Sequence, residues 1–214
     1  YCISNPEGIY KNPYKILFLA SEKEQVLTIT FSRQAVTLRS VSLMAPATRP
    51  TYEEYRASVS GAAYDGEVLD RIEIEDAITV KNDLSLIMKW DENYCSSPAS
   101  YDLINYNIFG GDGWGSGGQS FTFSIGEVPK DGWYQIAFRY MSPTADVAAY
   151  REIRLDGEIP FEEMTEYCFP AANSWTCDPL MDAEENPYLF YLEAGVEHTI
   201  TLTVKLGPLR HEVQ

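Results

Sequence analysis

Short apolar runs recur along the chain, and in two of them apolar and polar residues alternate. These two, Val26–Phe31 and Val36–Leu43, have a period of two residues, which puts one face of a strand on a core. Many short strands without a long helix predict an all-β fold, a jelly-roll-like β-sandwich. The predicted strands are Tyr14–Ala20, Val26–Ser32, Val36–Leu43, Val68–Ile74, Ser120–Ile125, Trp133–Met141, Tyr150–Leu155, Tyr188–Leu192 and Thr199–Val204.

A linker interrupts the strand pattern. Ala45–Pro50 contains two prolines, and Thr51 is a suitable N-cap for a short helix over Thr51–Val59. Glu53 and Glu54 would lie in its first turn, where the helix dipole favours acidic residues. We therefore predict a linker with a short helix over residues 46–66. Two longer segments, Asn107–Gln119 and Phe161–Glu185, are predicted to be irregular loops.

The chain also contains an internal repeat. Asn12-Pro13-Tyr14 followed by KILFLASEKEQVLTITF is similar to Asn186-Pro187-Tyr188 followed by LFYLEAGVEHTITLTV. Repetition of this kind indicates two copies of one module. Residues 1–45 are therefore predicted to be the C-terminal strands of a preceding β-sandwich, residues 67–210 a second sandwich, and residues 211–214 a tail. We expect the chain to be a fragment of a longer protein whose export signal and anchor lie outside it.

The charge balance excludes several classes of partner. Lys and Arg number 16 and Asp and Glu number 32, so the net charge is −16. Nucleic acids and anionic membrane surfaces require basic residues, and neither is expected here. No apolar run approaches the roughly 18 residues of a membrane span. The acidic balance suits a soluble surface or a divalent cation site.

Three segments together carry a resemblance to a known family: DGWYQIAFRYMSP (131–143), REIRLDGEIPFEEM (151–164) and NPYLFYLEAGVEHTITLTV (186–204). They resemble the accessory modules of large bacterial solute-binding proteins for sugar uptake, which are similar to carbohydrate-binding module families 35 and 6. RPTYEEYRA (49–57) resembles the segment that joins two such modules. The resemblance implies a galactose-binding-like jelly roll and an extracellular location at the cell surface. It implies carbohydrate and the remainder of an ABC-type solute-binding lipoprotein as partners.

A calcium site is part of what this resemblance implies. Ile72-Glu73-Ile74-Glu75-Asp76 resembles the Glu-x-Glu strand that binds a structural Ca2+ in such modules. Alternate residues of a strand point to one face, so Glu73 and Glu75 would converge there. Two neighbouring carboxylates repel each other unless a cation lies between them, and calcium accepts such oxygens. The alternative is a solvated acidic strand face.

Two tryptophans in the irregular segments are candidates to stack on a sugar ring, because aromatic rings suit the C–H face of a sugar. Trp114 lies among the six glycines of Asn107–Gln119, and its alternative is a plug at the end of the sandwich. Trp175 follows Asn173, a second candidate ligand. Arg139 and Arg151 are strand residues that could contact the ligand or could be surface or ion-paired residues.

The remaining reactive residues predict no catalysis. The sequence has no GxSxG, HExxH or Walker motif, and His198 is predicted to be a solvated turn residue. Cys168 and Cys177 could form a disulfide or be free thiols, and no CxxC pair supports a zinc ribbon. Trp90 and Trp133 lie in strand-like runs and are predicted to be core residues.

These observations favour a non-catalytic carbohydrate-binding accessory module. The alternative is a structural spacer or protein-interaction sandwich without a glycan site, because a fold does not imply a function. A hydrolytic enzyme is a third hypothesis, and it would need two carboxylates that flank one cleft. Exposure of Trp114 or Trp175 in a concave site beside polar groups would favour the first.

Overall fold

The computed structural model describes residues 26, 28, 48–66, 69, 71–93, 96, 103–142 and 147–207. A boundary between two compact units falls between Thr48 and Arg49. All the described helices and strands lie on its C-terminal side. Apart from Val26 and Thr28, the strands predicted before residue 45 and the first copy of the repeat lie outside the described residues.

The described part consists mainly of short strands. The helices are α1 (Tyr52–Ser58) and α2 (Ile74–Ala77), with 3₁₀ turns at Gly111–Gly113 and Glu162–Thr165. The strands are β1 (Ile78–Lys81), β2 (Met88–Lys89), β3 (Ile108–Phe109), β4 (Ser120–Gly126), β5 (Gly132–Gln135), β6 (Ala137–Ser142), β7 (Ala149–Leu155), β8 (Tyr167–Phe169), β9 (Ala172–Pro179), β10 (Leu189–Leu192) and β11 (His198–Lys205).

The strands form an antiparallel β-sandwich. One layer is a five-stranded sheet in the order β1-β4-β11-β7-β8, and the pairs β10-β5 and β6-β9 face it. Buried and half-buried residues alternate along β11, because threonines on one face alternate with apolar residues on the other. Phe123 of the large sheet contacts Phe138 of β6, with ring centroids 6.3 Å apart. The predicted all-β sandwich is confirmed; its jelly-roll connectivity stays a prediction.

Four of the predicted strands were located correctly from the sequence. Ser120–Ile125, Tyr150–Leu155, Tyr188–Leu192 and Thr199–Val204 correspond to β4, β7, β10 and β11. The predicted run Trp133–Met141 divides at Ile136 into β5 and β6, which pair with different strands. Asp156-Gly157 forms the predicted turn, and both residues have positive φ values of 51° and 83°.

Two sequence predictions of local structure are wrong. Phe161–Glu185 contains β8 and β9 rather than only loop. Strand β9 escaped detection because polar residues occupy both of its faces, so its sequence has no period of two. The described part of Val68–Ile74 is not a strand either: residues 71–73 are irregular and α2 begins at Ile74.

Helix α1 begins at the predicted N-cap. The Thr51 side chain accepts a hydrogen bond from the Glu54 amide, and the Glu54 carboxylate accepts one from the Thr51 amide at 2.8 Å. This capping box satisfies two amides that the first turn would otherwise leave unpaired.

The predicted linker helix is packed on the sandwich. The ring of Tyr55 lies 5.4 Å from that of Trp133, and the ring of Tyr52 lies 5.0 Å from that of Phe161. The Tyr52 hydroxyl accepts a hydrogen bond from the Leu189 amide at 2.9 Å. Helix α1 therefore stabilises the edge of β10 rather than acting only as a spacer.

Candidate functional site

The paired strands β6 and β9 bring two of the predicted ligand-binding residues together. Arg139 pairs with Cys177 across the two strands, and residues two apart on a strand share a face. Trp175 and Cys177 of β9 therefore lie beside Arg139, on the face opposite the buried Phe138, whereas the register shifts between Tyr140 and Ser142, across from Asn173. The Arg139 guanidinium lies 5.8 Å from the centre of the Trp175 ring, near the outer limit of a cation–π contact.

A carboxylate from a distant position in the sequence holds the Trp175 ring. Trp175 Nε1 donates a hydrogen bond to Asp91 Oδ2 at 2.7 Å, and the Ser96 hydroxyl donates to the same oxygen at 2.5 Å. Burial by itself would raise the pKa of Asp91, but the bonds from Ser96 and Trp175 hold it below its ordinary value. Asp91 is therefore ionised at neutral pH and fixes the orientation of the indole.

The backbone of Asp91 is itself held by a buried amide side chain. Asn107 Oδ1 accepts a hydrogen bond from the Asp91 amide at 2.8 Å, and Asn107 Nδ2 donates to the Asp91 carbonyl at 3.0 Å. Sequence reasoning missed Asp91 and Asn107. No local signal points to them, because Asp91 and Trp175 are 84 positions apart.

Trp114 has a different environment. Its ring lies 5.0 Å from the ring of the buried Phe121, and the Arg151 guanidinium stacks on it with Cζ 4.0 Å from the ring centre. This geometry matches the alternative interpretation, in which Trp114 closes one end of the sandwich. A sugar contact at Trp114 or Arg151 stays a prediction.

Arg151 is 8% exposed, and burial lowers its pKa to about 10. It donates to the carbonyl of Tyr150 at 2.8 Å and to that of Trp114 at 3.3 Å. Within the described residues its Nε and the Trp114 Nε1 are buried without hydrogen-bond partners. The Arg151 side chain therefore holds the segment around Trp114 through the Trp114 carbonyl and the indole ring.

Hydrogen bonds order the glycine-rich loop. Gln119 Nε2 donates to the Gly113 carbonyl at 2.9 Å and to Ser85 Oγ at 2.8 Å, and Gln119 Oε1 accepts from the Ser116 amide at 2.9 Å. A Cβ atom at Gly113 would lie 2.6 Å from the Ser85 carbonyl oxygen. The glycine at this position therefore permits close approach of two backbone segments.

The predicted pairing of Glu73 and Glu75 on one strand face is wrong. Glu75 lies in α2 and Glu73 is its N-cap, because the chain turns into a helix here. Glu73 Oε1 lies 2.6 Å from Arg71 Nη2, whereas Glu75 is 6% exposed and its Oε1 has no hydrogen-bond partner among the described residues. Burial raises the pKa of Glu75, and Glu73 and Asp76 add to the rise.

The unpartnered oxygen of Glu75 would accept either a proton or a cation. In the described part of the chain no group of three His, Cys, Asp or Glu side chains is placed to hold a metal ion. Calcium binding by Glu73 and Glu75 therefore stays a prediction.

A substitution at Glu75 separates these two possibilities. We expect Glu75→Gln to stabilise the protein at neutral pH by on the order of 1 kcal/mol, because it removes a buried negative charge. The raised pKa means that the folded wild type gains stability as pH falls from neutral towards the ordinary carboxyl value, and the variant lacks this gain. Urea unfolding at several pH values in EDTA measures both effects. Stabilisation of the wild type alone by added calcium would instead indicate a metal site.

Other local predictions have mixed outcomes. Trp133 is 2% exposed, as expected for a core residue, but Trp90 is 37% exposed and is not a core residue.

His198 is buried, and its Nδ1 lies 2.7 Å from Asp156 Oδ2. The prediction that His198 is a solvated turn residue is therefore wrong. Cys168 and Cys177 are exposed free thiols, in agreement with the second of the two alternatives.

Comparisons with protein families and with curated proteins identify no relative of this chain. No family model matches the chain, and no curated protein matches it. None of the helices in the described residues is long and apolar enough to cross a membrane.

Proposed function

We propose that this chain is a non-catalytic carbohydrate-binding accessory module whose sugar site is the outer face of β6 and β9. The observation that carries the proposal is the half-buried ring of Trp175, which Asp91 holds through Nε1 at 2.7 Å. An aromatic ring suits the C–H face of a sugar. A ring that is already fixed loses little conformational freedom on binding.

Polar groups beside the ring would bind sugar hydroxyls. Asn173 is exposed and lies two positions before Trp175 on β9. The Arg139 guanidinium lies 5.8 Å from the ring centre and supplies several N–H donors. An aromatic surface with a few fixed polar groups is typical of small-ligand sites.

The wider assignment rests on the resemblance across residues 49–208. On this basis the chain would be an extracellular module of a cell-surface solute-binding lipoprotein, and that lipoprotein would serve an ABC-type sugar transporter. The module would also bind a structural calcium ion. The net charge of −16 supports a sugar rather than a phosphorylated or nucleic-acid ligand, because anionic ligands need basic residues.

Substitution of Trp175 tests the proposed site. The chain is screened on a glycan array, with calcium and with EDTA, and the best-bound oligosaccharide is titrated by calorimetry. We expect Trp175→Ala to weaken binding about 30-fold, because a central aromatic contact carries about 2 kcal/mol. Trp175→Phe keeps a ring for stacking and loses only the bond to Asp91, so it should weaken binding less.

Trp114→Phe in the other tryptophan-bearing segment is compared with the Trp175 variants. This variant keeps an aromatic ring over Arg151, and unchanged glycan binding would assign the site to Trp175 rather than to Trp114. Equal binding by the wild type and Trp175→Ala would contradict a site on this face. Loss of binding only in EDTA would support a contribution from calcium.

A structural spacer or protein-interaction sandwich without a glycan site is the second candidate. The observation that favours it is that the described segments 84–90 and 103–106 carry several exposed apolar side chains, and large exposed apolar surfaces are typical of protein interaction sites. Leu84 is 89% exposed and Ile104 is 69% exposed. The absence of binding to every glycan, with the fold intact, would favour this candidate.

A further inference from the structure

Two adjacent depressions lie on the side of the sandwich formed by α1, β8, β9 and the start of β10. The larger has a volume of about 450 Å³ and the smaller about 370 Å³. Glu163, Asp182 and Tyr188 line both of them. We call the two depressions together the tyrosine cleft. None of the five predicted sugar-binding residues lines it.

Negative charge dominates the tyrosine cleft. No lysine, arginine or histidine is among the described residues that line it. Its carboxylates include Glu53, Glu163, Asp178, Asp182, Glu184 and Glu185. A concave surface that carries one sign of charge concentrates ligands of the opposite sign.

Hydrogen bonds from the following turn fix the carboxylate of Asp182, which lines both depressions. Asp182 Oδ2 accepts a hydrogen bond from Asn186 Nδ2 at 3.0 Å, and Oδ1 accepts from the amides of Asn186 at 2.8 Å and Glu184 at 3.0 Å. The bond from the Asn186 side chain, followed by those from the amides, lowers the pKa of Asp182, so its carboxylate is ionised at neutral pH. Glu163 accepts a hydrogen bond from the Tyr52 amide at 3.1 Å, which holds it at the first turn of α1.

Tyr188 supplies an observation that is independent of the acidic residues. Its side chain is more than nine-tenths buried, with its ring 4.8 Å from Tyr52 and 5.2 Å from Phe161. Within the described residues no hydrogen bond holds its hydroxyl. Because this largely buried side chain lines both depressions, its hydroxyl is available to bind a ligand there.

Aromatic rings form the other wall of the cleft. Phe169 contacts Tyr140 and Tyr167, with ring centroids 5.2 Å and 5.0 Å away. All three residues line the larger depression. This wall would bury the methylene groups of a ligand, whereas a simple inorganic ion would leave it unused.

A metal ion fits this arrangement poorly. Among the described residues no three carboxylates converge closely enough to hold one. The carboxylates are instead spread along two depressions, which suits positive charges spread along a chain.

We propose that the tyrosine cleft binds a linear polyamine, a small molecule in which ammonium groups are joined by short methylene chains. Ammonium groups would pair with the carboxylates of both depressions. The Tyr188 hydroxyl would accept a hydrogen bond from an ammonium group between them, and methylene groups would lie on the tyrosine wall.

Spermidine is the probe for a calorimetric titration of the full chain at low salt. We expect Tyr188→Phe, which keeps the buried ring, to weaken spermidine binding about tenfold, because a hydrogen bond to a charged group is lost. Glu184→Gln/Glu185→Gln removes two exposed rim charges and should also weaken it several-fold. Glu127→Gln/Glu158→Gln makes the same change in net charge outside the cleft and should leave binding within about twofold, because distant surface charges are screened.

Equal loss in the rim and control variants, or no loss in Tyr188→Phe, would overturn the proposal in favour of general charge attraction. Displacement of spermidine by an equal concentration of Mg2+ or Ca2+ would overturn it in favour of a metal site. Tighter binding of a lysine-rich peptide than of spermidine would overturn the small-molecule assignment. Thermal melting of each variant confirms that it is folded.

Discussion

Phe161→Ala is expected to cost about 3–5 kcal/mol of folding free energy, because it deletes a large buried ring and leaves a cavity. Phe161 is 0% exposed. Its ring centroid lies 5.0 Å from Tyr52, 5.3 Å from Tyr55 and 5.2 Å from Tyr188. The residue therefore joins α1 to the strands, and its loss should loosen both. Urea unfolding followed by tryptophan fluorescence measures the change.

Two comparisons show whether packing causes the loss. Phe161→Leu fills part of the space and should lose less than the alanine variant. Leu84→Ala removes an apolar side chain that is 89% exposed and should change stability by less than about 0.5 kcal/mol. A loss below about 1 kcal/mol in Phe161→Ala would mean that α1 is not held by this ring.

Glu152→Ala is expected to cost about 3 kcal/mol, because it removes the carboxylate partner of a largely buried lysine and of a partly exposed arginine. Glu152 Oε1 lies 2.7 Å from Arg154 Nε, and its Oε2 lies 3.0 Å from Lys205 Nζ. The Lys205 side chain is 13% exposed, so water cannot fully solvate its ammonium group once the carboxylate is removed. The double variant Glu152→Leu/Lys205→Met, which removes both charges, should recover part of the stability.

The same group predicts a dependence on pH. Burial by itself would raise the pKa of Glu152, but Lys205 and Arg154 together hold it below its ordinary value. A lowered folded pKa means that the stabilisation is present above the unfolded value of about 4.3 and is lost as pH falls through the folded value. Glu152→Gln should therefore flatten the acid limb of the stability curve. An unchanged acid limb would contradict this role for the carboxylate.

The candidate site shows which spatial neighbours could not be predicted from sequence patterns. Arg139, Asn173 and Trp175 could be named from residue type, but not as neighbours, because the strand that carries two of them has no alternating pattern. Asp91 lies 84 positions from Trp175, and no spacing rule connects them. The tyrosine cleft likewise combines α1 with residues more than 100 positions later.

Glu75 and His198 show how burial changes a residue's chemistry. As sequence positions, both suggested solvated or metal-binding groups. The fold buries Glu75 without a hydrogen-bond partner for Oε1 among the described residues, and it buries His198 against Asp156. Burial depends on which elements cover a residue, and this is decided by packing between distant segments.

The amino-acid sequence by itself determined the local elements of this protein. The alternating serine and threonine residues of β4, the alternating threonines of β11, the Thr51 cap with Glu54 and the turn at Asp156-Gly157 each depend on residues a few positions apart. Backbone sterics and local hydrogen bonds decide the conformation there. The tertiary structure alone decided that α1 packs against the core, that Asp91 orients Trp175 and that Tyr188 lines two acidic depressions. These contacts form only when the layers close, because burial and long-range hydrogen bonds depend on three-dimensional proximity rather than on spacing along the chain.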